Sequence, residues 1–368
     1  MKNVLLLVTR GLLRNGKIGI NGPERRTFNS ISYMKKNNYF VAYCNKGYFY
    51  GNFKEKVGDR LIELDIKGIK DFGSIVKLYK IIKKYNIDLV HVQGPFASDF
   101  FVAIACKLAG VKSVITRPII VSTDSNSFLR TLGMKIFDKL IFKSATKLVT
   151  ISEKSKIDWI KENAPKEKLE VVYNGTFLDK FIAKQNYTFK DTINCVMVGQ
   201  FIDEKNHLWF LENITMNLIQ KHNEIRFIFV GDGYTLDSCK DFIQENKIEK
   251  YVKFTGNINN VNEVLSSVDI SFLPSVREGV PVGLIESIAC GVPVVANDVG
   301  SVSEVCKNGN NGYLSKVDDV KFWLKSFEEL IEKEDLRKQF GKSGRDLAVK
   351  QFDINVMIKK YEDIYEKA

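Results

Sequence analysis

The strongest constraint on the fold is an alternation of short apolar runs with longer amphipathic stretches, played through twice. Val4–Val8, Tyr39–Cys44, Leu61–Leu64, Leu89–Val92, Ser113–Thr116, Lys147–Ile151 and Glu170–Val172 read as strands. Helical periodicity fills the intervals, as in Phe72–Tyr85, Asp99–Ala109 and Phe128–Lys143. Apolar strands separated by helices form parallel sheets covered on both faces, because a parallel pair needs a crossover long enough to hold a helix. The period is lost over Asn174–Tyr187, where Asn174-Gly175 signals a turn, and then resumes. Asn194–Val198, Arg226–Val230, Val252–Phe254, Asp269–Leu273 and Val292–Ala296 make a second set of strands. From Val320 the chain reads as helical throughout. The expected class is α/β, two doubly wound Rossmann-like sheets in series. The expected domains are residues 1–175 and 188–350, with a terminal helix over 351–368 for which packing back on the first domain is one option.

Composition supports a globular chain of two domains: 368 residues, 45% hydrophobic and 27% charged. No apolar run approaches the ~18 residues of a spanning helix. Val4–Val8 is too short for a signal peptide core and soon meets Arg10, so a cytoplasmic location is expected. The six cysteines form no CxxC pair and read as reduced core residues. His91, His207 and His222 show no zinc-ligand spacing.

Charge is unevenly spread. Up to Gly175 there are 31 Lys and Arg against 15 Asp and Glu; beyond it, 24 against 29. The whole net charge of +11 therefore originates in the first part. Such a field suits a polyanionic partner, whether membrane phospholipid, a phosphorylated acceptor or nucleic acid, or simply serves solubility. No recognition helix, RNA-binding signature or basic–aromatic interleaving is present, so nucleic acid is not an expected partner. In the predicted helix Phe128–Lys143, Leu129, Leu132, Ile136, Phe137, Leu140 and Ile141 interleave with Lys135, Lys139 and Lys143. This pattern reads as core packing or as an interfacial face on an anionic membrane.

The densest chemical signal is the segment from Pro274 to Glu286, Pro-Ser-Val-Arg-Glu-Gly-Val-Pro-Val-Gly-Leu-Ile-Glu. It follows a buried strand and opens a helix, with Pro281 suited to the first turn. Gly279 and Gly283 allow close backbone approach to a ligand. A helix amino terminus at the carboxyl end of a parallel strand is where α/β sheets take phosphorylated ligands. Glu278 precedes the helix and Glu286 lies inside it; one carboxylate suits a sugar hydroxyl, the other a ribose hydroxyl. There is no Asp-x-Asp, the usual carboxylate clamp for a nucleotide-bound metal.

The segment continues as Ser287-Ile288-Ala289-Cys290-Gly291-Val292-Pro293-Val294-Val295, and here the chain resembles the retaining glycosyltransferases of family 4, with the GT-B fold. Their hallmark is a Glu-x7-Glu pair in a P-S-x-x-E-G-x-P setting, followed by A-x-G-x-P-V-V. Val198-Gly199-Gln200-Phe201 with Lys205 matches the loop whose lysine contacts the donor diphosphate. Val230-Gly231-Asp232-Gly233 matches the family's glycine turn, and Val252-Lys253-Phe254-Thr255-Gly256 its base-side strand. Gly22-Pro23-Glu24 fits the glycine loop beside the donor phosphates.

The resemblance implies a donor site of Gly199, Gln200, Lys205, Gly231, Gly233, Phe254, Arg277, Glu278, Gly279, Val280, Pro281, Val282, Gly283, Leu284 and Glu286, with Gly22 at the phosphates. It implies a nucleotide-sugar donor, commonly a UDP-sugar, and a glycan or lipid-diphosphate-linked acceptor bound by the first domain. Cell-surface polysaccharide assembly is its commonest bacterial setting. No cofactor is implied. The implied catalytic set is Glu278 and Lys205, with Arg117 or His91 in place of an active-site histidine that the family often carries after its fifth strand. A second departure is Gln200, where the family usually has Arg; Arg277 is either its replacement or a solvent-facing side chain. The alternatives are a GT-B nucleotide-sugar epimerase and a non-enzymatic protein that binds nucleic acid or a sugar nucleotide.

Overall fold

The computed structural model describes residues 1–9, 22–44, 49–64, 66, 71–93, 97–117, 128–189 and 191–368. It divides into two compact units, one of Met1–Gly175 with Ile354–Ala368 and one of Thr176–Asp353. Each holds one parallel sheet.

The first unit runs β1 (Asn3–Thr9), α1 (Gly22–Tyr33), β2 (Asn38–Cys44), α2 (Tyr50–Val57), β3 (Leu61–Glu63), α3 (Gly73–Lys84), β4 (Leu89–Gln93), α4 (Ala97–Ala109), β5 (Lys112–Thr116), α5 (Phe128–Ser144), β6 (Lys147–Thr150), α6 (Glu153–Lys161) and β7 (Leu169–Val171). The strand order is β3-β2-β1-β4-β5-β6-β7. β1 is central, with Val4 opposite Tyr39 on one side and Leu89 on the other, and Val4–Val8 have no exposed surface. That is why β1 reads as an unbroken apolar run rather than an alternating one. The order reverses between β1 and β4, the switch point where doubly wound sheets open a crevice at their carboxyl ends.

The second unit runs β8 (Ile193–Val198), α7 (His207–Phe210), a π-helical turn over Leu211–Thr215, α8 (Met216–Lys221), β9 (Ile225–Val230), α9 (Leu236–Glu245), β10 (Val252–Gly256), α10 (Val261–Ser267), β11 (Ile270–Leu273), α11 (Val282–Ala289), β12 (Val294–Asn297), α12 (Val302–Val305), β13 (Gly312–Ser315), α13 (Val320–Glu332) and α14 (Glu334–Leu347). The order is β10-β9-β8-β11-β12-β13. Its core is aromatic: Phe210 stacks on Phe272 at 4.0 Å, with Phe227, Phe229 and Phe327 around them. β13 is not evident from the sequence, being four residues long and led by a glycine.

The aperiodic stretch between the two strand sets packs on the second unit. Lys184 pairs with Asp269 at 2.5 Å, and the Tyr187 hydroxyl donates to the Gly291 carbonyl at 2.9 Å. The last helix, α15 (Ile354–Lys367), belongs to the first unit. Its Tyr365 carbonyl accepts from Lys2 Nζ at 2.7 Å, and its Tyr365 hydroxyl meets His91 Nδ1 at 2.6 Å. The described cysteines Cys106, Cys195, Cys239, Cys290 and Cys306 are buried free thiols.

Candidate active site

Three loops leave the carboxyl edge of the second sheet side by side, after β8, β9 and β11. The first two are stitched by their backbones: Gly199 N donates to Val230 O at 2.9 Å, Phe201 N to Asp232 O at 3.0 Å and Thr235 N to Phe201 O at 3.1 Å. Gly231 sits at φ 143°, and a Cβ there would lie 1.9 Å from the Gly199 carbonyl oxygen, so only glycine allows this approach. Gly233 follows, its amide capped by Asp232 Oδ1 at 2.8 Å.

Beyond Gly199 a single 3-10 turn, Asp203–Lys205, ends on Asn206 in the left-handed region at φ 60°. Asparagine tolerates that conformation better than most residues. The turn points Lys205 back along Gly199. Its Nζ reaches Glu278 Oε1 at 2.5 Å, and Ser275 Oγ donates to the same oxygen at 2.7 Å. Val276 N donates to Glu204 O at 2.9 Å, tying the β8 and β11 loops together. The Lys205 side chain is 19% exposed and that of Glu278 is 8%. Partly withdrawn from water, the two charges interact more strongly than a surface pair.

Glu278 is held by its backbone as well. Asn297, fully buried at the end of β12, donates through Nδ2 to Pro274 O at 2.8 Å and Ser275 O at 3.2 Å. Its Oδ1 accepts from Trp323 Nε1 at 2.9 Å. Gly300 has φ 56°, and a Cβ there would lie 1.8 Å from the Glu278 carbonyl oxygen. Ser301 N donates to Gly279 O at 3.2 Å. Ser275, Asn297, Gly300 and Trp323 are supports that the sequence reading passed over. Their one visible signal was a polar residue closing an apolar strand.

The β11 loop ends at Pro281, and the first intrahelical bond of α11 runs from Ile285 N to Pro281 O at 3.2 Å. The amides of Val282, Gly283 and Leu284 precede it and carry the positive end of the helix dipole. A Cβ on Gly283 would lie 2.7 Å from the Val198 carbonyl oxygen. That glycine is required by the close approach of α11 to β8. Gly279 is exposed and a Cβ there would meet nothing within 4 Å. Glu286 is half-buried in the second turn of α11. Val280, Pro281 and Leu284 are buried, Val282 is partly buried, and Gln200 and Arg277 are exposed. Phe254 is half-buried and packs edge-on to Phe201 at 5.7 Å. Among the described residues no group of three or more His, Cys, Asp or Glu is arranged to hold a metal ion.

Two family models divide the chain between them. That of the glycosyl transferases group 1 matches residues 179–347, and that of Glycosyltransferase Family 4 matches residues 20–180. The chain belongs to glycosyltransferase family 4.

Its relatives include an Escherichia coli UDP-Gal:alpha-D-GlcNAc-diphosphoundecaprenol alpha-1,3-galactosyltransferase, 26% identical over 82% of this chain and 81% of that protein. The Staphylococcus aureus capsular polysaccharide biosynthesis glycosyltransferase CapH is 26% identical over 94% and 95%. Among solved structures, Anabaena HepE in complex with UDP superposes with a TM-score of 0.83 at 18% identity, covering both chains fully. The lipopolysaccharide outer core galactosyltransferase WaaB gives 0.75 at 18%, again over both full chains. The fold is GT-B.

In this glycosyltransferase the two candidates for the missing histidine are both turned into the first unit. His91 is fully buried, with Nδ1 on the Tyr365 hydroxyl and Nε2 on Thr116 Oγ1 at 2.8 Å. Burial, helped by the Arg26 charge, pushes its imidazole down to about 3, so the ring is neutral and both nitrogens are occupied. Arg117 is 2% exposed and donates from Nε to Asp99 Oδ2 at 2.5 Å and from Nη1 to Asp138 Oδ1 at 2.7 Å. A guanidinium held by two buried carboxylates is part of the interior, as is the His91 ring. Gly22 is the first residue of α1; the glycines ahead of it lie outside the described residues. The third histidine near a loop, His207, stacks on Phe201 at 4.0 Å, and burial and Lys205 push it down to about 3.

Proposed function

We propose that this glycosyltransferase moves a hexose from a nucleotide-diphosphate sugar, a UDP-sugar, to a glycan or lipid-diphosphate-linked acceptor, with retention at the anomeric carbon. The second unit takes the donor and the first the acceptor. The observation that carries the reading is the Lys205–Glu278 pair, fixed by Ser275 beside the amino terminus of α11. Lys205 and the first amides of α11 take up the negative charge that grows on the diphosphate as the anomeric bond breaks. Glu278 then holds a hydroxyl of the transferred sugar, and Glu286 the ribose. Fixed cations and amide dipoles supply the leaving-group stabilisation, so no resident metal or cofactor enters the proposed reaction. No carboxylate in the donor set is assigned as a covalent nucleophile; acceptor attack on the face the diphosphate leaves, within an ion pair, gives retention.

The names of the relatives support this choice of substrates: one uses UDP-galactose and a diphosphoundecaprenol acceptor, and another serves capsule synthesis. We infer the same setting, cell-surface polysaccharide assembly at the cytoplasmic membrane face. Among the described residues no helix is long and apolar enough to cross a membrane. Peripheral contact is supported by α5, where Ile136 and Leu140 are 55% and 40% exposed among exposed Lys135, Lys139 and Lys143. Each cation near an anionic surface adds about 1 kcal/mol.

The test is donor turnover across a panel of nucleotide sugars, with and without a lipid-diphosphate-linked sugar acceptor and with EDTA present. Consumption of a UDP-sugar only when acceptor is added, unchanged by EDTA and giving a product of retained configuration by NMR, is expected. Conversion of the donor without acceptor would establish an epimerase instead.

A further inference from the structure

We propose that Arg26 and Gln93 form an anion-binding site in the first unit that takes a phosphate or carboxylate group of the acceptor. The assignment to the acceptor rests on the reading of the first unit given above; the site itself rests on geometry alone.

Arg26 lies in the second turn of α1 and is 7% exposed. Its Nε donates to Gln93 Oε1 at 2.6 Å and its Nη1 to Asn174 Oδ1 at 3.0 Å. Both acceptors are neutral amide oxygens. Among the described residues Nη2 is buried with no partner, and so is Nε2 of Gln93, itself 1% exposed. Among the described residues no carboxylate stands in ion-pair range of Arg26. The contrast is with Arg117, also buried but held by two carboxylates.

A buried cation without a counter-ion is destabilising by several kcal/mol, and a buried donor without an acceptor adds to that. Such groups persist where a ligand completes them. The side edge of a guanidinium presents Nε–H and Nη2–H in parallel, the fork that carboxylate and phosphate accept bidentately. Here Gln93 Oε1 takes one prong and the other is vacant. Because Oε1 receives the Nε proton, the Gln93 amide is oriented with its NH2 as a second vacant donor. Gln93 ends β4 and α1 follows β1, so both donors stand at the switch point of the first sheet, where doubly wound sheets bind ligands. Two vacant donors, one of them charged, match an anionic oxygen. A glutamate at position 93 would have neutralised Arg26 within the same shape; the amide leaves the charge available to a ligand.

The test uses the full chain carrying Lys205→Ala, which removes the lysine placed at the donor phosphates. Inorganic pyrophosphate and malonate are titrated separately by calorimetry, so that the two arms tell phosphate from carboxylate. At least one is expected to bind, and Arg26→Met to weaken it about 10- to 100-fold, the range of a charge-assisted hydrogen bond. Gln93→Glu is expected to abolish binding while raising Tm, because it gives Arg26 its counter-ion; this second variant carries the test if Arg26→Met folds poorly. With Lys205 intact, Arg26→Met is expected to raise KM for the acceptor and leave KM for the nucleotide sugar unchanged. Anion binding indifferent to both substitutions, or a Tm lowered by Gln93→Glu, overturns the site. A KM effect on the nucleotide sugar alone overturns its assignment to the acceptor. UDP binding to the Lys205-intact chain is read separately: its absence counts against the donor assignment of the second unit and leaves the anion titration standing.

Discussion

The two units share a design and differ in how they treat charge. Both are doubly wound around a central strand, in the orders β3-β2-β1-β4-β5-β6-β7 and β10-β9-β8-β11-β12-β13. The part up to Gly175 is strongly basic and the part after it mildly acidic. Yet the acidic unit holds the better-organised cation at its carboxyl edge: Lys205 meets Glu278, which Ser275 also contacts, on a loop pinned by Asn297 and Gly300. In the basic unit Arg117 is neutralised internally and Arg26 has no counter-ion among the described residues. Net charge therefore says little about how an individual buried cation is partnered. A general field gathers polyanions, whereas recognition depends on a few groups held in place by second partners.

This contrast can be broken most sharply at Lys205. Lys205→Ala is expected to lower turnover with saturating donor by about 10²–10³-fold, with a smaller loss of stability than Arg117→Met causes, and Glu278→Gln to do the same. Unchanged turnover would remove the functional half of the contrast. Arg117→Met is the mirror case. It strands two buried carboxylates and is expected to lower stability by about 3–5 kcal/mol in a denaturant titration, with turnover per folded molecule retained. A smaller effect is expected from Asn297→Ala, which frees the Pro274 and Ser275 carbonyls and the Trp323 N–H: a loss of about 1–3 kcal/mol, accompanied by weaker UDP binding in calorimetry. The smallest is a slope with pH. Burial pushes the Asp99 carboxyl up to about 6 from an ordinary 3.8, outweighing the opposite pull of Arg117. The folded chain thus holds an extra proton between those values, and its stability falls as pH rises from about 4 to about 6. Asp99→Asn should flatten that part of the wild-type profile; identical profiles would show that Asp99 does not titrate there.

How much could be read from the sequence follows the same division. Part of the candidate site in the second unit is close in the chain, since one strand–loop–helix segment carries Ser275, Glu278 and Glu286, and glycine and proline mark its turns, while Lys205 comes from a loop 73 residues away. Both sheets were legible because buried parallel strands need continuous apolar runs. β13 was not, because four residues led by glycine leave no period to detect. The first unit's polar cluster joins positions 26, 93 and 174, which only the sheet order brings together. The surroundings of His91 and Arg117 were hidden for a related reason: a strand-end residue can point either to the crevice or into the layer beneath, and the sequence does not record which. Asn297, which supports the Glu278 loop, was hidden because its role is to bond backbone carbonyls, which no side-chain pattern reveals.

The path of the chain has a consequence for its own synthesis. The first unit is begun by β1 and finished by α15, whose Tyr365 meets His91 and whose backbone receives Lys2. The second unit is contiguous, its ends joined where Thr176 N donates to Phe352 O at 2.7 Å. A nascent chain on the ribosome thus has every residue of the second unit before the first unit has α15, so the half that starts first is completed second.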